Sequence, residues 1–169
     1  MNKILEKIEK EIIEDLNLLG FDLEYTEYVK ELDNYILRIV IEKLDKSNMD
    51  TADCEIVSKK IEDKVDNLMK AEYMLEVSSP GFERVLKTEK LWKKYIGETV
   101  LVKLFKKTNI LKDVALKEFE AELVEYTDEG KITFRKMFDK LDLKFTISKD
   151  EIASAHTVFD YDKMFRESK

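Results

Sequence analysis

One run of residues has types and spacing suited to holding an anion. It reads Leu75-Glu76-Val77-Ser78-Ser79-Pro80-Gly81-Phe82-Glu83-Arg84-Val85-Leu86-Lys87. A strand-like alternation ends in two hydroxyls, a Pro-Gly pair and two cations. Pro80 pre-sets the first central angle of a turn and Gly81 accepts a positive φ at the second, so a type II turn is expected. Backbone amides after such a turn, with the Ser78 and Ser79 hydroxyls and the Arg84 guanidinium, would suit a phosphate. Lys87, Lys103, Lys106 and Lys107 extend the cationic character along the chain. The competing reading is a structured interdomain turn with Arg84 paired to an acidic neighbour. The residues alone leave the two in balance.

No other constellation carries chemistry as well. His156 is the single histidine and lies between Ala155 and Thr157 in an expected strand. A lone imidazole there is better read as a surface side chain than as a general base or metal ligand. Cys54, the single cysteine, falls on the apolar stripe of an expected helix and reads as a small core residue. Neither a disulfide framework nor a thiolate metal site can be built from it. The acidic sets Glu11/Glu14/Asp15 and Glu62/Asp63/Asp66 fit solvated helix faces better than a cation site. Four scattered glycines supply no phosphate-cradling loop. The aromatic residues mostly fall at buried strand periodicity. No catalytic residue, cofactor or metal is expected.

Charge separates along the chain. The net charge is −7 over 169 residues. Residues 1–83 hold 11 Lys/Arg against 21 Asp/Glu, a balance of −10, whereas 84–169 hold 19 against 16. The stretch 84–117 has 10 against 3. An acidic half joined to a locally basic one presents two fields that the whole-chain average hides, and so points to charged partners. The start, Met1 to Lys7, lacks the apolar run of a signal peptide, and no segment approaches the roughly 20 apolar residues of a membrane span. The expectation is a soluble cytoplasmic protein with no membrane partner and no small-molecule substrate.

Periodicity supplies the elements around that run. Ile4, Leu5, Ile8, Ile12, Leu16 and Leu19 recur at helical spacing over 3–19, and Gly20 is placed to end the helix. Phe21, Leu23 and Tyr25 alternate with polar residues as a first strand. After the turn Glu31-Leu32-Asp33-Asn34, a second strand runs from Tyr35 to Glu42, its other face partly buried. Asp50 is placed to cap a helix with Cys54, Val57, Ile61, Val65 and Leu68 on its stripe. A third strand spans Tyr73 to Ser78. The order α-β-β-α-β implies a small sheet covered on one side by two helices. Beyond the Pro-Gly pair, Thr88 caps a short helix with Leu91, Trp92, Tyr95 and Ile96, closed by Gly97. Strands are then expected near 100–105, 118–126 and 131–138, around Leu143–Ile147, and from Ala153 to Phe159. A polar, lysine-bearing connection is expected from Lys106 to Lys117. Thr127 to Gly130 forms a hairpin turn, and Ser148-Lys149-Asp150-Glu151 has capping-box spacing. About five short strands with one helical turn before the last describe a small barrel.

The segment Tyr73-Met74-Leu75-Glu76-Val77-Ser78-Ser79-Pro80-Gly81 resembles the hallmark of the RimP family of ribosome maturation factors. Arg84, Leu86, Lys87 and the helix through Tyr95-Ile96-Gly97 continue the likeness. So do Leu37-Arg38-Ile39-Val40-Ile41 and Glu151-Ile152-Ala153-Ser154-Ala155. Members often carry Pro where this chain has Val85 and Asp where it has Glu83. The resemblance covers residues 3 to about 160. It implies an α+β protein with an N-terminal α-β-β-α-β domain over 1–83. A small C-terminal SH3-like (Sm-like) β-barrel follows over 84–160, led by a short helix over 88–96, with a charged tail at 161–169. It also implies a non-catalytic, cofactor-free factor for late maturation of the small (30S) ribosomal subunit, working in the cytoplasm through ribosomal RNA and a small-subunit ribosomal protein. The acidic N-terminal half leads us to expect that protein to be basic. A monomer is expected. Ser78, Ser79, Pro80, Gly81, Arg84, Lys87, Lys103, Lys106 and Lys107 are the expected contact residues. Two other classes fit the residues less fully: an interaction adaptor with no direct RNA contact, and a carboxylate-only metal-dependent hydrolase.

Overall fold

The computed structural model describes residues 1–112 and 114–159. The chain divides into two compact units, Met1–Pro80 and Gly81–Lys169. The expected tail at 161–169 lies outside the described residues.

The N-terminal unit runs α1 (Asn2–Leu18), β1 (Phe21–Glu31), β2 (Asn34–Lys43), α2 (Thr51–Leu68) and β3 (Met74–Ser78). This is the α-β-β-α-β order that the periodicity predicts. β1 and β2 are antiparallel and β2 and β3 parallel, giving the sheet order β1-β2-β3. Ile8, Ile12 and Leu16 of α1 meet Val57, Ile61 and Val65 of α2 and Leu37, Ile39 and Ile41 of β2 in one apolar core. All nine are fully buried, and each such side chain contributes roughly 1.5–3 kcal/mol of transfer free energy. Asp50 caps α2 as expected: its carboxylate accepts from the Asp53 amide at 2.9 Å, and the Asp53 carboxylate accepts from the Asp50 amide. The helices are also joined by charge, with Lys64 Nζ 2.6 Å from the buried Asp15 carboxylate and Lys60 Nζ at 3.6 Å.

One strand departs from simple alternation. Leu23 pairs with Ile41, but Tyr25 pairs with Val40, so Glu24 occupies a bulge. An extra residue reverses the phase of every side chain after it. Tyr25 therefore leaves the core face on which alternation places it. Thr26 takes that face instead, and its hydroxyl donates to Glu9 of α1 at 2.6 Å. The other face of β2 is partly buried, as expected: Val40 and Glu42 are both inaccessible.

The C-terminal unit runs α3 (Glu89–Lys94), β4 (Thr99–Leu111), β5 (Val114–Tyr126), β6 (Lys131–Phe138), β7 (Leu141–Ser148), a 3-10 turn (Lys149–Glu151) and β8 (Ile152–Thr157). All pairings are antiparallel in the order β7-β6-β5-β4-β8. Thr88 caps α3 by accepting from the Leu91 amide at 3.3 Å, and Leu91 and Trp92 are buried. Phe119, Phe134 and Phe145 pack edge to face at 5.2–5.3 Å for the two pairs that include Phe119. Trp92 meets the edge of Phe134 at 6.3 Å. Such aromatic pairs contribute beyond the area that they bury.

The expected connection between Lys106 and Lys117 is strand for most of its length. β4 continues to Leu111 and β5 begins at Val114, so the two form a long hairpin arm. Its sequence hides this because lysines and other polar residues break up the apolar ones and the pairing is interrupted. Lys103 pairs with Glu118, yet Thr108 pairs with Leu116. Five steps along β4 answer two along β5, and the surplus residues lie in a bulge over Leu104–Lys107.

Candidate functional site

The expected contact residues belong to both units, and their local settings differ. Ser78 ends β3 opposite Val40 and is half-buried. Ser79 is exposed. Positive φ occurs at Gly20, Gly97 and Gly130 but not at Gly81. A Cβ built on Gly81 would meet only the Glu83 carbonyl, at 3.8 Å. The type II turn is therefore not formed: Ser79 to Gly81 is irregular chain, with a bend at Phe82 and Glu83.

The following residues are held by β8. The Arg84 amide donates to the Thr157 hydroxyl at 2.8 Å, and the Thr157 amide donates to the Arg84 carbonyl at 2.9 Å. The Leu86 amide donates to the Ala155 carbonyl at 2.9 Å, and Val85 bridges His156. These amides are engaged in the fold rather than turned toward a ligand. Arg84 itself is half-buried, with its Nη1 inaccessible, and Arg84 and Lys87 each interact with other groups. Between this segment and the 3-10 turn lies a shallow groove of about 280 Å³ whose cations are Lys87 and Lys149.

Lys103, Lys106 and Lys107 sit on β4. Lys103 pairs across the ladder with Glu118, its Nζ 3.4 Å from the carboxylate. Lys106 and Lys107 occupy the bulge and are exposed. No ion pair joins either of them to a carboxylate among the described residues. The structure thus separates the expected set. Arg84 and Lys87 belong to a bonded edge beside β8, while Lys106 and Lys107 present their charge to solvent.

Sequence reasoning overlooked Phe105, which the same bulge leaves 64% exposed. The available signal was Phe-Lys-Lys interrupting an apolar alternation. It also overlooked a charge network on the N-terminal sheet. Arg38 reaches Glu27 at 2.8 Å, Glu31 at 2.9 Å and Glu76 at 2.5 Å. Hydrogen bonds to Glu76, Glu27 and Glu31, in that order of weight, hold the guanidinium firmly protonated. One cation among three carboxylates leaves this patch negative.

The groups weighed for catalysis have ordinary surroundings. His156 Nδ1 lies 3.0 Å from the Thr157 carbonyl oxygen and 3.4 Å from the Glu83 carboxylate. Burial, reinforced by Asp53 and Asp50, pushes the Cys54 thiol up and away from the reactive thiolate. Tyr73 donates its hydroxyl to Asp66, so that member of the second acidic set has a protein partner. Among the described residues, no three His, Cys, Asp or Glu side chains come together as ligands for a metal ion. No described helix is long and apolar enough to cross a membrane.

Residues 10–83 match the family model of the RimP N-terminal domain. The match spans the second half of α1, the whole three-stranded sheet and α2, and it ends just past the Ser-Ser-Pro-Gly segment. This stretch is thus similar to the N-terminal domain of RimP, the family that Ser78-Ser79-Pro80-Gly81 and its flanks resemble.

Proposed function

We propose that this chain assists maturation of the small (30S) ribosomal subunit in the cytoplasm, binding ribosomal RNA and a basic small-subunit protein without catalysing a reaction. The observation that carries the reading is the family match over 10–83. The division of charge supports it. The N-terminal unit is acidic and gathers three carboxylates around Arg38, which suits a basic protein. The C-terminal unit holds the lysine-rich stretch 84–117, which suits phosphate. Among the expected contact residues, Lys106 and Lys107 are best supported, being exposed cations with no ion pair among the described residues. Ser78, Ser79, Pro80, Gly81, Arg84, Lys87 and Lys103 remain part of the proposal.

We also propose functional domains at 1–83 and 84–160, the second an SH3-like (Sm-like) barrel acting within a monomer. The family match ending at Glu83 supports the boundary. Three observations support the barrel: five antiparallel strands, a 3-10 turn directly before the last, and the approach of β4 to β7, which are not neighbours in the sheet order.

Co-sedimentation with immature small subunits across a salt series tests the reading. Association at low salt that weakens steeply as salt rises is expected, by about 0.7–0.9 log units per log unit of salt for each phosphate contact. Absence of association at low salt would overturn it. The net charge of −7 favours one rival, an adaptor that touches only protein. Binding to purified ribosomal proteins with none to ribosomal RNA would establish that rival.

A further inference from the structure

We infer that the bulge in β4 is a recognition element for an unpaired nucleotide, with Phe105 stacking on the base and Lys106 and Lys107 meeting the flanking phosphates. The inference deepens the RNA-binding reading above and rests on it.

Backbone register comes first. β4 pairs with β8 only as far as Leu104, opposite Ile152, and the pairing is already irregular there. On the other side the ladder with β5 is interrupted between Lys103 and Thr108. Leu104 through Lys107 therefore lie where β4 leaves one neighbour and slips against the other. Bulges re-aim side chains and accumulate at binding sites. Leu104 is 2% exposed, whereas Phe105 beside it is 64% exposed. Phe105 makes no ring contact among the described residues. Its ring is thus available, in a unit whose Phe119, Phe134 and Phe145 pack on one another.

Charge selects the partner. Residues 103–117 contain five lysines and one acidic residue, Asp113. Lys106, Lys107, Lys112 and Lys117 are all exposed, and none forms an ion pair among the described residues. Exposed lysines flanking an exposed aromatic residue along the chain match a nucleic-acid strand, in which phosphates alternate with flat π-faces. An acidic protein would use the lysines but has no particular need of the ring. Base pairing and stacking within an A-form duplex hide the base faces, so the ring selects unpaired RNA.

The test uses the full chain, a short unstructured RNA of roughly ten nucleotides carrying a fluorescent base analogue, and the same strand annealed to its complement. Anisotropy gives affinity, and quenching of the analogue reports stacking. The wild-type protein should prefer the single strand. Phe105→Leu should weaken that binding by about tenfold, within a range of roughly five- to a hundredfold. It should abolish the quenching while leaving the salt slope and the thermal unfolding curve unchanged. The double variant Lys106→Gln/Lys107→Gln should instead lower the slope by about 1.4. Equal binding of single strand and duplex, no effect of Phe105→Leu, or binding of the arm to acidic protein alone would each overturn the inference. Sedimentation separates the two levels. Wild-type association with immature subunits that is indifferent to Phe105→Leu removes the stacking element and leaves the assembly role. Phe105-dependent RNA binding without subunit association does the reverse.

Discussion

Arg84 and Thr157 hold each other by hydrogen bonds in both directions, amide to hydroxyl at 2.8 Å and amide to carbonyl at 2.9 Å. Thr157 is 7% exposed, so its hydroxyl replaces water as the partner of the Arg84 amide. Thr157→Val keeps the shape and removes the acceptor. Leaving that amide without its partner should cost about 1–3 kcal/mol. Chemical denaturation checks this, and a midpoint equal to that of wild type would show that the bond carries no net stability.

The absence of positive φ at Gly81 reverses an expectation based on the Pro-Gly pair. Gly81→Ala should change stability by less than about 0.5 kcal/mol, in the manner of an ordinary surface substitution, because the new Cβ would meet only the Glu83 carbonyl at 3.8 Å. Gly97 makes the contrast. Its φ is +94°, and its amide donates to the Leu123 carbonyl at 2.7 Å. A side chain there strains the backbone, and Gly97→Ala should cost about 1 kcal/mol or more. Paired thermal melts of the two variants give the comparison.

Arg38 uses a planar fork to serve three carboxylates from two other strands, Glu27 and Glu31 on β1 and Glu76 on β3. A lysine keeps the charge but concentrates it at one point. Arg38→Lys should therefore lose about 1–2 kcal/mol, even though formal charge is conserved. Urea titration of the variant reads this. Full retention of stability would show that charge, and not geometry, is what the network requires.

Asp15 gives the fold an acid limit. Its hydrogen bond to Lys64 holds its pKa below the usual carboxylate value, against the opposing effect of burial. A carboxylate whose folded pKa is depressed stabilises the fold above its unfolded pKa of about 3.9, and that contribution disappears as pH falls through the folded value. Wild-type stability should thus decline from about pH 4 downward. Asp15→Asn should be less stable than wild type at neutral pH, with the difference shrinking in acid. Denaturation midpoints from pH 7 to pH 2 test the sign, and a difference that grows in acid would refute it.

Much of the fold was legible where a local rule and tertiary packing agree. Asp50 and Thr88 cap helices because their short oxygens reach amides that no other group can satisfy. Gly20 and Gly130 sit at positive φ, where a helix and a hairpin turn require it. The misreadings within the strands share one cause, a residue that breaks period two. The bulge at Glu24 moves Tyr25 to the opposite face, and the larger one over Leu104–Lys107 made a strand look like a loop. A bulge leaves no compositional mark, because its position depends on the register of the partner strand. The same limit applies at the candidate site. Cations were visible in the sequence, but not that Arg84 is half-buried beside β8 while Lys106 stands in solvent.

That difference gives Arg84 and Lys106 opposite experimental signatures. Lys106 is exposed and has no ion-pair partner among the described residues, so Lys106→Gln should leave stability within about 0.5 kcal/mol of wild type. If it meets phosphate, the same change should lower the salt dependence of RNA binding by about 0.7 per contact on a single strand. Arg84 is half-buried, with its Nη1 inaccessible. Arg84→Gln removes packing as well as charge and should lower the unfolding midpoint by an amount equivalent to about 1 kcal/mol or more. Any loss of RNA binding by that variant should follow its unfolded fraction. Unfolding curves and salt titrations on the same preparations decide the matter. A fully stable Arg84→Gln with a reduced salt slope would return Arg84 to the phosphate contacts, and an unchanged slope in Lys106→Gln would remove Lys106 from them.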